Sequence, residues 1–316
     1  MNHRLKVRLA AAGLCLAGAT AVQPAQAAGI DWSGVKGQDI NLFYPGQSSW
    51  EWVLTPADHS GAPNFKSGKD CRKCHTGDEP DMGKNLVSGK KNEASPIAGK
   101  PGSMTATVKF AHDASNLYVH LDFDTGTQPD AGQDKKFETK VTMMLNDGGV
   151  PEANRTTCWV GCHEDLTNMP GAGGASRTMY LMKSREKMSR QGGGDAKSAD
   201  ELAKLKAAGY YLEYDQARLN PGKPAAAESG TILDKREPIA DNKVTAEATG
   251  DKGHWSVTIA RPLHAGGVYK DIVPGKTYTV GFAVHAGHTE GRFHYVSFER
   301  TLVLDSGAAD FVAAGK

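Results

Sequence analysis

Two short stretches that pair cysteines with a histidine constrain what this chain can become. The first reads Cys71-Arg72-Lys73-Cys74-His75, the second Cys158-Trp159-Val160-Gly161-Cys162-His163. C-x-x-C-H is the signature of covalent haem attachment: two thiols add to the haem vinyl groups and the adjacent imidazole reaches the iron. The second stretch has one more residue between its cysteines, a rarer spacing open to the same chemistry, because the extra residue can bulge while both sulfurs still reach. Together they predict two covalently bound haem c groups. Cys71, Cys74, Cys158 and Cys162 are the attachment points, and His75 and His163 the proximal iron ligands. Four thiolates with histidines also suit zinc, and two disulfides suit an exported protein. Neither alternative explains a histidine directly after the second cysteine in both copies.

The start of the chain agrees with this chemistry. Residues 1–8 carry His3, Arg4, Lys6 and Arg8, residues 9–22 are apolar and small, and Pro24-Ala25-Gln26-Ala27 offers an A-x-A cleavage site. This pattern is that of a secretory signal peptide over residues 1–27, too short for a membrane span. Cys15 lies inside it, so cleavage leaves all four remaining cysteines in the two haem motifs. Nothing later approaches 18 consecutive apolar residues. Covalent haem attachment takes place outside the bacterial cytoplasm, so the expected location is the periplasm. A net charge of +1 excludes a general binder of nucleic acid or anionic membranes.

The rest reads as a loop-rich body around strands. Aromatic residues make up only 7% of the 316 residues, and there are 37 glycines. Residues 28–100 show few periodic signals and form an N-terminal loop module carrying the first haem. From residue 101 the pattern changes to period two, with strands at 104–110, 117–123 and 140–145, and again at 243–249, 254–260, 277–284 and 293–303. Apolar residues on one face predict a helix over 200–219. The expectation is a mainly β chain: an antiparallel β-sandwich of immunoglobulin-like type over 101–316, with haem-carrying loops and one or two helices.

The distal iron ligands are open at this stage. His59 precedes the first motif and can fold back over its haem, or cap the following Ser60-Gly61 turn. His285, His288 and His294 cluster near the C-terminus, where a hairpin would bring His285 and His294 together, and these two are the first choices. Met169 can supply sulfur or pack on a haem edge. His112 is a further candidate, although a satisfied edge histidine is the commoner role.

Several stretches also carry a resemblance. They are Ala111-His112-Asp113 with Leu117-Tyr118, residues 141–148, the run from Cys158-Trp159 through Cys162-His163-Glu164-Asp165 to Met169-Pro170, and Ala283-Val284-His285 with Arg292-Phe293-His294-Tyr295-Val296-Ser297. Over residues 99–304 the chain resembles the haem-binding domain related to the gamma subunit of ethylbenzene dehydrogenase, a DOMON-like sandwich, and more closely its c-type relatives in bacterial respiratory chains. The resemblance implies a sandwich with a haem at one end and an electron-transfer role. The gamma subunits hold a non-covalent b-type haem. This chain departs from them at Cys158 and Cys162, so their ligand pair is not carried over.

These readings converge on a dihaem c-type cytochrome that passes single electrons in respiration. The expected partners are other redox proteins: a quinol-oxidising membrane cytochrome on one side, a terminal reductase or molybdoenzyme on the other. A haem enzyme with an open distal site, reducing a small nitrogen, sulfur or peroxide species, is the alternative.

Overall fold

The computed structural model describes residues 29–316 apart from 47, 49, 91, 92, 94, 157–180, 188–195 and 252. Thirteen strands and five short helices order these residues. The chain begins with β1 (Gln38–Phe43), then α1 (Trp50–Val53), α2 (Ala62–Lys66), α3 (Cys71–His75) and α4 (Glu79–Val87). Next come β2 (Ser103–His112), β3 (Asn116–Asp124), β4 (Thr139–Asn146), α5 (Ala199–Ala207) and β5 (Leu212–Leu219). The remainder is β6 (Ala226–Ile232), β7 (Arg236–Pro238), β8 (Thr245–Asp251), β9 (His254–Pro262), β10 (Tyr278–Ala286), β11 (Tyr295–Val296), β12 (Arg300–Leu304) and β13 (Phe311–Gly315).

Period-two patterning sets the architecture. In β2 the residues Met104, Ala106, Val108 and Phe110 turn inward in alternation. The hydrogen-bonded order β7-β6-β5-β4-β10-β11-β1-β2-β3-β9-β8 folds over on itself, so that β5 packs across from β8 and β9. Between the layers lies a core of Val108, Phe110, Leu121, Val141, Leu145, Val257, Ile259 and Phe282, among others. Two short connections tie the layers along one side. β11 pairs with both β10 and β1, and β12 and β13 run from β10 to β2 with parallel pairing at β13. The mainly antiparallel β-sandwich expected from the sequence is the fold observed.

Three elements differ from the expectation. Residues 200–219 are not one helix: α5 ends at Ala207, and the chain enters β5 after Gly209, which has φ +79°. Tertiary pairing with β4 and β6 overrides local helix propensity there. Residues 293–303 are not one strand, because Ser297 breaks the ladder by using both its backbone N–H and its side-chain oxygen on Phe282. Residues 38–43, placed in an unpatterned module, are a full strand paired along its length with β2. Helices are also more numerous than foreseen, though most are about one turn.

Among the described residues, the Arg261–Glu213 ion pair is buried within the sandwich, and Arg292–Glu93 is buried as well. Arg261 binds both carboxylate oxygens of Glu213 at 2.7 and 3.0 Å and is 1% exposed. Asp215 lies nearby with neither carboxylate oxygen hydrogen-bonded. Burial, reinforced by Glu213 and opposed by Arg261, pushes its carboxyl well above the usual carboxylate range. Replacing Arg261 by Met removes the cation and leaves Glu213 uncompensated. This change is expected to cost about 3–5 kcal/mol, read as a lowered denaturant midpoint.

Candidate functional site

On the outer face of the β4–β10 layer lies a second apolar cluster. Phe43, Met144, Ala283, Val296 and Phe298 supply its floor, and Trp50, Val53, Phe65 and Cys71 of the helical module pack onto it. The module therefore sits on the sandwich with Cys71 as one of its buried contacts.

Helical periodicity explains the first motif. In α3, Asp70 caps the N-terminus by accepting from Lys73 N at 2.7 Å. Positions 71, 74 and 75 are then i, i+3 and i+4 and share one helix face. Cys71 is buried, and that burial raises its thiol pKa, whereas Cys74 is exposed. A group bonded to both sulfurs would thus be seated in the cluster on one edge and reach the surface on the other.

His59 lies across from His75. Their ring centroids are 6.2 Å apart. Two imidazoles on opposite sides of one metal atom need about this spacing, given roughly 2.0 Å per metal–nitrogen bond and about 1.1 Å from nitrogen to ring centre. Each ring is oriented by a contact at Nδ1, His59 donating to the Val53 carbonyl at 3.0 Å and His75 meeting the Asp78 carboxylate at 3.4 Å. Outer contacts of this kind are how ligating histidines are aimed. Burial lowers the His59 pKa, partly offset by the Val53 hydrogen bond, with His75 adding a smaller lowering. Trp52 stacks on His59 at 4.9 Å and Phe298 on His75 at 6.2 Å. A side chain at position 61 would place its Cβ 2.9 Å from the His59 ring, so that ring would have to shift from its present position. These residues fit an iron held between His59 and His75 by a group attached to Cys71 and Cys74.

The C-terminal histidines meet as expected, with His285 and His294 centroids 4.9 Å apart. That is too close for the two to face each other across one iron. Both rings use the carbonyl of Gly291, His285 through Nε2 at 3.0 Å and His294 through Nδ1 at 2.7 Å. With its proton on Nε2, His285 carries a lone pair at Nδ1, a buried atom without a hydrogen-bond partner. Burial, then His294 and Lys140, hold its pKa well below the usual range. His285 follows Ala283 by two positions on β10 and so lies on the face carrying the second cluster.

Cys158, Cys162, His163 and Met169 lie outside the described residues. The residues flanking 157–180 are informative, because Ala153 before it and Leu181 after it are both buried in the second cluster. Arg155, three positions before Cys158, donates to the carbonyls of Phe65 at 2.6 Å and Lys69 at 3.4 Å and lies 4.2 Å from the Phe65 ring centre. Arg155 thus ties the turn just before residues 157–180 to the loop that precedes the first motif. The remaining candidates lie apart. His112 ends β2 with Nε2 on Asp305 and Nδ1 on the carbonyl of Asp113. His288 sits in the β10–β11 turn at φ +56° with Nδ1 donating to the carbonyl of Asp134.

Comparisons with known proteins bear on this arrangement. The sequence profile of the ethylbenzene dehydrogenase family matches residues 30–297. The chain belongs to that family. The match begins before β1, well upstream of the resemblance read from the sequence, in keeping with β1 being a sheet strand. Cytochrome c-552 of Stutzerimonas stutzeri is 34% identical over 304 residues, 94% of this chain and 93% of that protein. Cytochrome c-551 of Rhodocyclus tenuis is 29% identical over 287 residues, 90% and 98% respectively.

Sequence reasoning did not find Trp52, Gly61, Phe298, Glu299 or Asp310, all of which border the first site. Arg155 holds the carbonyls of Phe65 and Lys69, and Arg155→Ala is expected to cost roughly 1.5–3 kcal/mol, measured as a drop in unfolding free energy.

Proposed function

We propose that this protein is an exported dihaem c-type cytochrome that relays single electrons between redox proteins. One haem is held by Cys71, Cys74 and His75, with His59 as distal ligand. The other is held by Cys158, Cys162 and His163, with His285 Nδ1 as the favoured distal atom over His294, His288, His112 and Met169. The observation that carries this reading is the His59–His75 pair at 6.2 Å. Two imidazoles closing both faces of an iron suit electron transfer, since no substrate position is left open and little rearranges on reduction. The cytochrome c names of two relatives that cover nearly the whole chain support the same class. Among the described residues, no helix is long and apolar enough to cross a membrane. The periplasm is the proposed compartment, because covalent haem attachment takes place outside the cytoplasm.

The contact of Arg155 with Phe65 and Lys69 favours a short path between the haems, as a relay requires. The exposed Cys74 edge is the proposed exchange port. Lys66, Lys69 and Lys73 around it are exposed and suit a transient, wet encounter with an acidic redox partner. Such partners would be a quinol-oxidising membrane cytochrome as donor and a terminal reductase or molybdoenzyme as acceptor.

A pyridine haemochrome assay should give two haems per chain, falling to one in Cys71→Ala/Cys74→Ala. Two haems remaining in that variant, or one in the parent protein, would exclude the dihaem assignment. The reduced parent protein should show no Soret change with carbon monoxide, and His59→Ala should gain carbon monoxide binding at one of its two haems.

A further inference from the structure

Next to Cys71 the chain buries a carboxylate that the axial ligation and haem attachment do not use. Glu299 sits in the break between β11 and β12, directly after Phe298, whose ring stacks on His75. It is 5% exposed. Its Oε1 accepts from the backbone N–H of Arg72 at 3.2 Å, and its Oε2 is buried with no hydrogen-bond partner. A buried carboxylate oxygen without a donor is tolerated when the group is neutral or when a positive charge lies nearby.

The charged groups around it do not supply that charge cleanly. Arg72 spends its guanidinium on Asp310 at 2.7 Å. Arg300, half-buried, is offset by Asp310, Glu299 and Glu79. Asp70, at the start of α3, adds negative charge. Asp70, Arg72, Arg300 and the Cys71 thiol are the titratable and charged groups that act on Glu299 among the described residues, with Asp310 and Glu79 acting on Arg300. Burial outweighs them and pushes its carboxyl up to about 7.

We propose that Glu299 takes up a proton when the haem at Cys71–His75 is reduced, and releases it on oxidation. This rests on the haem assignment made above. In the oxidised protein the ferric porphyrin carries one net positive charge beside the carboxylate and favours its ionised form. A one-electron donor cancels that charge. Glu299 then loses its counter-charge, and one proton from solvent converts the carboxylate to the acid. The overall change is one electron and one proton gained, both returned on oxidation. The direction follows: at low pH the neutral acid does not stabilise the oxidised form and the midpoint potential is high. As pH rises through the range where Glu299 ionises, the potential falls.

The test is a spectroelectrochemical titration of the dihaem protein between pH 5.5 and 9. One of the two midpoints should fall with pH, approaching about 59 mV per tenfold change in proton concentration for one proton per electron. In Glu299→Gln, with two haems still bound, that midpoint should be flat and remain near the acid value of the parent protein. An unchanged slope in Glu299→Gln would overturn the proposal and assign the proton to another group. If that variant fails to load haem, the reduced-minus-oxidised infrared difference spectrum of the parent protein decides. A carboxylic acid carbonyl band that appears on reduction and shifts in deuterated water is expected, and its absence overturns the proposal. Haem counting in Cys71→Ala/Cys74→Ala separates the two failures. If that variant keeps both haems, the site assignment fails. If one haem is lost and the parent slope is flat, only the proton coupling fails.

Discussion

The packing of the Cys71 helix into the apolar cluster on the outer face of the sheet is the contact on which the rest of the site depends. Phe65, Trp50 and Val53 bring the helical module down onto Phe43, Val296 and Phe298, and Cys71 is buried among them. The same cluster buries the residues on either side of the segment carrying the second motif. One hydrophobic surface therefore takes in Cys71 and the residues that flank the stretch 157–180. Its apolar character also decides the electrostatics: it raises Cys71 and Glu299 and lowers His59 by removing water from them.

A division of labour between the two faces of one layer follows from strand alternation. Inward positions of β4, β5 and β10 build the sandwich core, and outward positions carry Met144, Ala283 and His285. The inner face holds its own polar cluster, Arg261 with Glu213 and Asp215, sealed from the outer cluster by the sheet. On the outer face, short helices and irregular segments have room to close over a bulky planar group without disturbing the core.

Much of the strand layout was legible, because a half-buried strand writes alternation into its sequence, as in Met104, Ala106, Val108 and Phe110. The haem motif was legible for a related reason: i, i+3, i+4 spacing on one turn is a local property. What stayed hidden was non-local. Gln38–Phe43 is a strand only because β2 lies beside it, and 212–219 leaves the helical pattern because β4 and β6 pair with it. Glu299 and Asp310 lie more than 200 residues from the motif they support, with no periodicity to mark them. His59 was visible as a candidate by its nearness in sequence. Only the fold puts it opposite His75 and clear of Gly61.

The link between Arg72 and Asp310 carries a consequence for how the molecule is made. Residues that complete the first site, from Phe298 through Asp310, belong to the final stretch of the chain, and β13 closes the sheet by pairing with β2. The groups that enclose the site lie more than 200 residues after the cysteines that open it. The site therefore gains its buried carboxylate and its dry wall only when the segment from β11 to β13 joins the sheet beside β10 and β2. Enclosure of the first site is thus a long-range event, coupled to closure of the sheet.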